Sequence, residues 1–197
     1  DKILGFRKSL FWGGLLMIAG SLILAFDPKS MFFLGISFTI VGTGFFKPNI
    51  STMVGALYHK NDSRRDAGFS LFYAGINIGA LLGGYACVSI GKAYSWNMAF
   101  GLAAIVMTIS LLTFIFTKKS LGPIGLSPIP PGGKKWYEYA TYLGSLVVIP
   151  LIMVMVAKTE YTDYFMYTIG PVTLIYLFYE MQKFSVDERK KLFAALI

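Results

Sequence analysis

From Trp96 to Thr117 the chain runs for 22 residues, "WNMAFGLAAIVMTISLLTFIFT", without one charged side chain. An α-helix needs about 20 apolar residues to cross a hydrocarbon core roughly 30 Å thick, and several other windows reach the same length with little or no charge. In lipid every backbone N–H and C=O must be satisfied internally, which leaves only helices and closed β-barrels. The period-two alternation of barrel strands is absent. The chain is therefore expected to be an all-α integral membrane protein. Composition agrees, with 55% hydrophobic and 14% charged residues and a mean hydropathy of +0.62, where a soluble domain carries about 25% charged residues.

Six spans are expected: about Ser9 to Phe26, ending at Asp27-Pro28; Met31 to Tyr58; Ala67 to Ile90, stopped by Gly91; Trp96 to Thr117; Tyr137 to Val156, with Pro150 inside; and Asp163 to Lys183, with Pro171 inside. They are too long and too numerous for a secretory signal. Connections then fall alternately on two sides of the membrane. Lys29, Lys92 and Lys158 lie on one side and Lys47 inside a span, so 14 of the 18 Lys and Arg residues lie on the other side. That bias places the N-terminus and the basic loops in the cytoplasm. The net charge of +8 is topological, and nucleic acid is not an expected partner. Residues 118–136, "KKSLGPIGLSPIPPGGKKW", hold four of the eight prolines and read as a helix-free cytoplasmic linker.

Lys47 stands out within the second span, in "GTGFFKPNIS". An ionisable side chain at the bilayer centre costs about 2.5–3.5 kcal/mol on insertion scales. About ten residues separate Lys47 from the end of its span, roughly 15 Å at the helical rise, which is too far for the side chain to snorkel. It must face protein or a water-filled cavity, where it can pair with a carboxylate. A purely structural ion pair is the competing reading. Thr43, Lys47 and Ser51 share one helix face. Pro48 frees a carbonyl one turn earlier, while Gly42 and Gly44 admit a neighbouring helix or a bend.

The third span, "GFSLFYAGINIGALLGG", places Ser70, Tyr73 and Asn77 on one face. Gly75, Gly79 and Gly83 form a small-residue ladder on another, read as a packing seam. Asn77 at membrane depth needs partners for its carbonyl and its amide, and an interhelical hydrogen bond would suffice. The opening "DKILGFRK" sets Asp1, Arg7 and Lys8 on a charged turn entering a span, and its abrupt start implies that helices precede it. His59 reads as an interfacial residue. Cys87 excludes an intramolecular disulfide. Glu138, Glu160, Asp163 and Glu180 fall near span ends, so none is expected to be a buried acid. No nucleophile, metal-ligand or phosphate-loop motif is present, so neither an enzyme nor a metal site is expected.

These motifs resemble the proton-dependent oligopeptide transporter family of the major facilitator superfamily, in its bacterial form. "GTGFFKPNIS" resembles that family's fourth-helix motif, "FSLFYAGINIGALLGG" its fifth-helix signature, and "DKILGFRK" the superfamily's loop between the second and third helices. The resemblance implies that residues 1–117 are the third to sixth helices of the N-terminal bundle. It makes 137–183 the hairpin inserted between the two halves, and 184–197 the lead into the second bundle. Lys47 would contact the peptide carboxylate and take part in proton coupling. Tyr73 and Asn77 would line the peptide cavity, and Asp1, Arg7 and Lys8 would hold the cytoplasmic side of the inward gate.

The implied activity is proton-coupled import of di- and tripeptides by alternating access, in the bacterial plasma membrane. Its partners would be short peptides, protons, the bilayer and the transporter's remaining helices, with protons as coupling ion and no cofactor. The family's first-helix E-x-x-E-R motif and its second half are not in this chain, so it reads as part of a transporter. Rival readings are a relative carrying nitrate or another small anion, and a non-transporting membrane subunit in which Lys47 only binds a partner helix.

Overall fold

The computed structural model of the chain describes residues 3–59, 62–128, 135–184 and 188–189. Six α-helices follow one another: α1 Gly5–Phe26, α2 Phe32–Ala56, α3 Arg64–Ala93, α4 Trp96–Thr117, α5 Trp136–Ala157 and α6 Thr159–Met181. α1 and α3 begin before their apolar stretches do, because Phe6 to Lys8 and Arg64 to Asp66 continue the helix outside the apolar window. Among the described residues α1, α3, α4 and α5 are long and apolar enough to cross a membrane. α2 and α6 have the length, but Lys47, Asn49 and small polar residues dilute α2, and acidic residues with tyrosines dilute α6.

The linker is not helix-free. A single 3-10 turn, Lys118–Leu121, extends α4 before Gly122 ends it at φ +56°.

The chain forms two compact units, Asp1–Met153 and Val154–Ile197. In the first, α1 packs along α2 through glycines. A Cβ at Gly13 would lie 2.7 Å from the Gly42 carbonyl, and one at Gly20 would lie 2.6 Å from the Gly35 carbonyl. The two pairs recur at seven-residue spacing on both helices. Where lipid removes the hydrophobic drive between helices, such close backbone approach provides the contact. Leu16, Val41 and Ile149 form the buried apolar cluster, flanked by Trp12, Phe38 and Phe45. α4 closes on α1 where Leu111 covers Gly14. The α3–α4 corner is fixed by Trp96 lying over Gly91 and by the Ser95 hydroxyl accepting from the Met98 amide as an N-cap. Asn97 donates to the Ala25 carbonyl at 2.9 Å, satisfying one of the orphan acceptors at the end of α1.

In the second unit, the Thr162 hydroxyl donates to the Met155 carbonyl at 2.7 Å across the α5–α6 turn. Lys183 pairs with Glu180 at 2.7 Å.

Candidate functional site

α2 runs unbroken through Pro48. Its polar side chains largely turn back onto their own helix. Ser37, Thr39, Thr43, Asn49, Ser51 and Thr52 each donate to the carbonyl four residues earlier. Such bonds satisfy a hydroxyl or amide in lipid without a partner helix, and they tend to bend the helix. Thr43 and Ser51 therefore share a face with Lys47 but do not reach out beside it. Asn49, which sequence reasoning did not single out, is buried at 8% exposure, donates to the Phe45 carbonyl at 2.7 Å and lines a small pocket with Leu4 and Ser9. Its signal was its place one residue after the helix-breaking proline.

Lys47 and Pro48 lie on the exposed side of α2. Among the described residues no carboxylate pairs with Lys47. Gly42 is pressed against α1, whereas a side chain at Gly44 would meet nothing within 4 Å. On α3, Tyr73 is 55% exposed, stacks on Phe69 at 6.4 Å and leans on Phe72 at 5.5 Å. Asn77 is exposed as well. Among the described residues nothing packs on the Gly75, Gly79 and Gly83 ladder, where a Cβ at any of the three meets nothing within 4 Å. The α1–α2 seam is built by Gly13, Gly20, Gly35 and Gly42, of which Gly42 was expected to admit a neighbouring helix. α2 and α3 approach closely near the turn that joins them: Phe69 and Arg65 lie against Gly55, and the Tyr58 ring lies over Gly68.

The other end of α1 is tightly organised. The Arg7 side chain donates to the Ile124 carbonyl at 2.8 Å and the Gly122 carbonyl at 2.6 Å, and its backbone amide donates to the Gly125 carbonyl at 3.0 Å. Lys8 donates to both carboxylate oxygens of Glu138, at 2.6 and 2.7 Å. The Ser127 hydroxyl also donates to Glu138, at 3.0 Å. Gly5 and Gly125, at φ +75° and +78°, let the strands of chain approach; a Cβ on Gly5 would collide with the Leu126 backbone. One turn deeper, Trp12 donates to the Ser145 hydroxyl at 2.9 Å and packs on Tyr142 at 4.8 Å.

Glu138 corrects the expectation that no acid is buried. It lies in the first turn of α5, but Lys8 and Ser127 close over it, so only 12% of its side chain is exposed. Arg7 and Lys8 thus bind the linker and the start of α5. Asp1, the remaining member of that turn, lies outside the described residues.

The model of the POT family matches residues 7–197. The chain belongs to the POT family. It is 32% identical over 208 residues to a "Di-/tripeptide transporter" of Lactococcus lactis subsp. lactis (strain IL1403), covering 98% of this chain and 42% of that protein. It is 39% identical over 158 residues to the "Uncharacterized transporter YclF" of Bacillus subtilis (strain 168), covering 79% of this chain and 32% of that protein. Among solved structures, a peptide transporter POT in complex with sulfate matches at 33% identity and a TM-score of 0.71, over 100% of this chain and 42% of that one. The chain thus spans less than half the length of these relatives. The POT family consists of transporters, and the apolar helices make this a multi-pass membrane protein.

Proposed function

We propose that this chain forms part of a proton-coupled transporter that imports di- and tripeptides by alternating access. Its four leading helices, α1 to α4, are the third to sixth of the N-terminal bundle. α5 and α6 are the inserted hairpin, residues 118–136 the cytoplasmic linker, and residues 184–197 the lead into the second bundle. The bias of Lys and Arg toward one side supports a cytoplasmic N-terminus in a bacterial plasma membrane. The peptide substrate is supported by the relative named for it and by the peptide transporter structures that share the fold.

The observation that carries the reading is Lys47, a mid-helix cation on an exposed side of α2 that pairs with no carboxylate among the described residues. A charge at that depth cannot face lipid at tolerable cost, so it faces the transport cavity. There the ammonium takes the peptide carboxylate, while Tyr73 and Asn77 on α3 offer a phenol and an amide to the rest of the peptide. A carboxylate from a helix outside this chain pairs with Lys47 when no peptide is bound. Peptide then competes for the ammonium as that carboxylate takes a proton. The membrane potential contributes about 2.3 kcal/mol per charge per 100 mV. No cofactor enters this cycle. Lys47→Ala in the full-length transporter, reconstituted in liposomes, should abolish dipeptide uptake driven by a proton gradient. Uptake at the unmodified rate would remove Lys47 from the mechanism.

A further inference from the structure

A pocket of about 440 Å³ opens at the charged end of α1, beneath the linker, and its lining includes Arg7, Lys8, Phe11, Phe114, Lys118 and Tyr142. Its charge is one-sided. Glu138 is engaged by Lys8 and Ser127. Arg7 donates to two carbonyls, which orient the guanidinium without neutralising it. Lys118 is exposed, and among the described residues no carboxylate pairs with it. Among the described residues, two cations therefore border the pocket with no carboxylate paired to them, while Phe11, Phe114, Ile115 and Tyr142 give it apolar walls.

Phe114 also lines a second cavity, of about 330 Å³, whose remaining walls are nearly all apolar and come from α1, α2 and α4, including Leu10, Met17, Phe46, Ile50 and Met107. Cations at a helix end beside an apolar cavity that shares the Phe114 wall suit a ligand with an anionic head and a hydrocarbon tail. Basic pockets between membrane helices recognise anionic headgroups by this combination. Inorganic phosphate or sulfate would meet the cations but leave the apolar cavity unfilled.

We propose that the two pockets form one site for an anionic phospholipid. Arg7 and Lys118 hold the phosphate, and one acyl chain passes over Phe114 into the cavity between α1, α2 and α4. Bound there, the lipid bridges α1, α4 and the linker, which Arg7 already ties to α1.

The test uses the full-length transporter containing this chain, titrated with phosphatidylglycerol or phosphatidylcholine in detergent and read by native mass spectrometry. Phosphatidylglycerol should be retained in preference to phosphatidylcholine. Lys118→Gln should weaken phosphatidylglycerol retention about fivefold, the effect of one basic residue at an anionic surface, and leave phosphatidylcholine unchanged. Lys118→Arg should restore it, and Met107→Trp, which fills the apolar cavity, should reduce it. Equal retention of the two lipids, or an unchanged Lys118→Gln protein, would overturn the proposal. Displacement of phosphatidylglycerol by equimolar inorganic phosphate would also overturn it, by showing a free-anion site.

Discussion

The Glu138 carboxylate gives both oxygens to Lys8 and one of them also to Ser127, while 46% of the Lys8 side chain stays exposed. The pair is asymmetric, so its two halves should respond differently. Lys8→Ala leaves a nearly buried acceptor short of a donor and should cost about 1–3 kcal/mol. Adding Glu138→Ala should recover part of that loss, a coupling that a double-mutant cycle on thermal unfolding in detergent would measure. Strictly additive losses would mean that the two side chains act independently.

Asp27, in the turn after α1, gives a pH-dependent counterpart. Its carboxyl is held below the ordinary value by the Ser30 hydroxyl, then by the Ser30 and Lys29 amides. A lowered folded-state pKa contributes stability that is fully present above the unfolded value near 4 and disappears as pH falls through the folded value. The melting difference between the natural protein and Asp27→Asn should therefore be present at pH 7 and shrink toward pH 3. A difference that stayed constant would assign it to something other than the charge.

At the scale of elements, the α1–α2 contact depends on backbone approach at two glycine pairs. A larger side chain at Gly20 or Gly42 must push the helices apart, because its Cβ would fall 2.6 Å from an opposing atom in either case. Gly42→Leu should cost about 1–3 kcal/mol by overpacking. Gly101→Ala on α4 should be neutral or stabilising, since its Cβ meets only Ala25 at 3.9 Å and alanine is the better helix former. Comparable losses in the two variants would refute the close-approach account.

The helices themselves were legible, because length and apolarity set them locally. The charge-free run Trp96–Thr117 is helical over its whole length, behind a Ser95 N-cap. Of the glycines in the seam only Gly42 was legible as a point of helix approach; Gly13, Gly20 and Gly35 were not. Gly75, Gly79 and Gly83 have the same small-xxx-small spacing that suggests packing, yet the glycines in contact are spaced by seven, and only a partner helix distinguishes the two sets.

At the scale of the molecule, the first compact unit runs to Met153, so most of α5 groups with α1 to α4. The ties are few and made by long side chains, chiefly Trp12 to Ser145 and Tyr142, together with Lys8 to Glu138. Trp12→Ala should release α5 while leaving the α1–α2 seam intact. Hydrogen–deuterium exchange should then rise across residues 136–153 and stay unchanged across residues 32–45 in α2. A uniform rise through both helices would show that Trp12 supports the whole unit.

The sequence by itself determined that the chain is helical, lies in a membrane and carries one cation where lipid cannot tolerate it. These follow from local length, hydropathy and the cost of burying charge. Its motifs also sufficed to place it in its family. Only the tertiary structure decided that Glu138 is buried, that Arg7 clamps the linker, and that Phe114 lines both a basic pocket and an apolar one. Each depends on residues more than 100 positions apart meeting in space, and no local pattern encodes where a distant helix will come to rest.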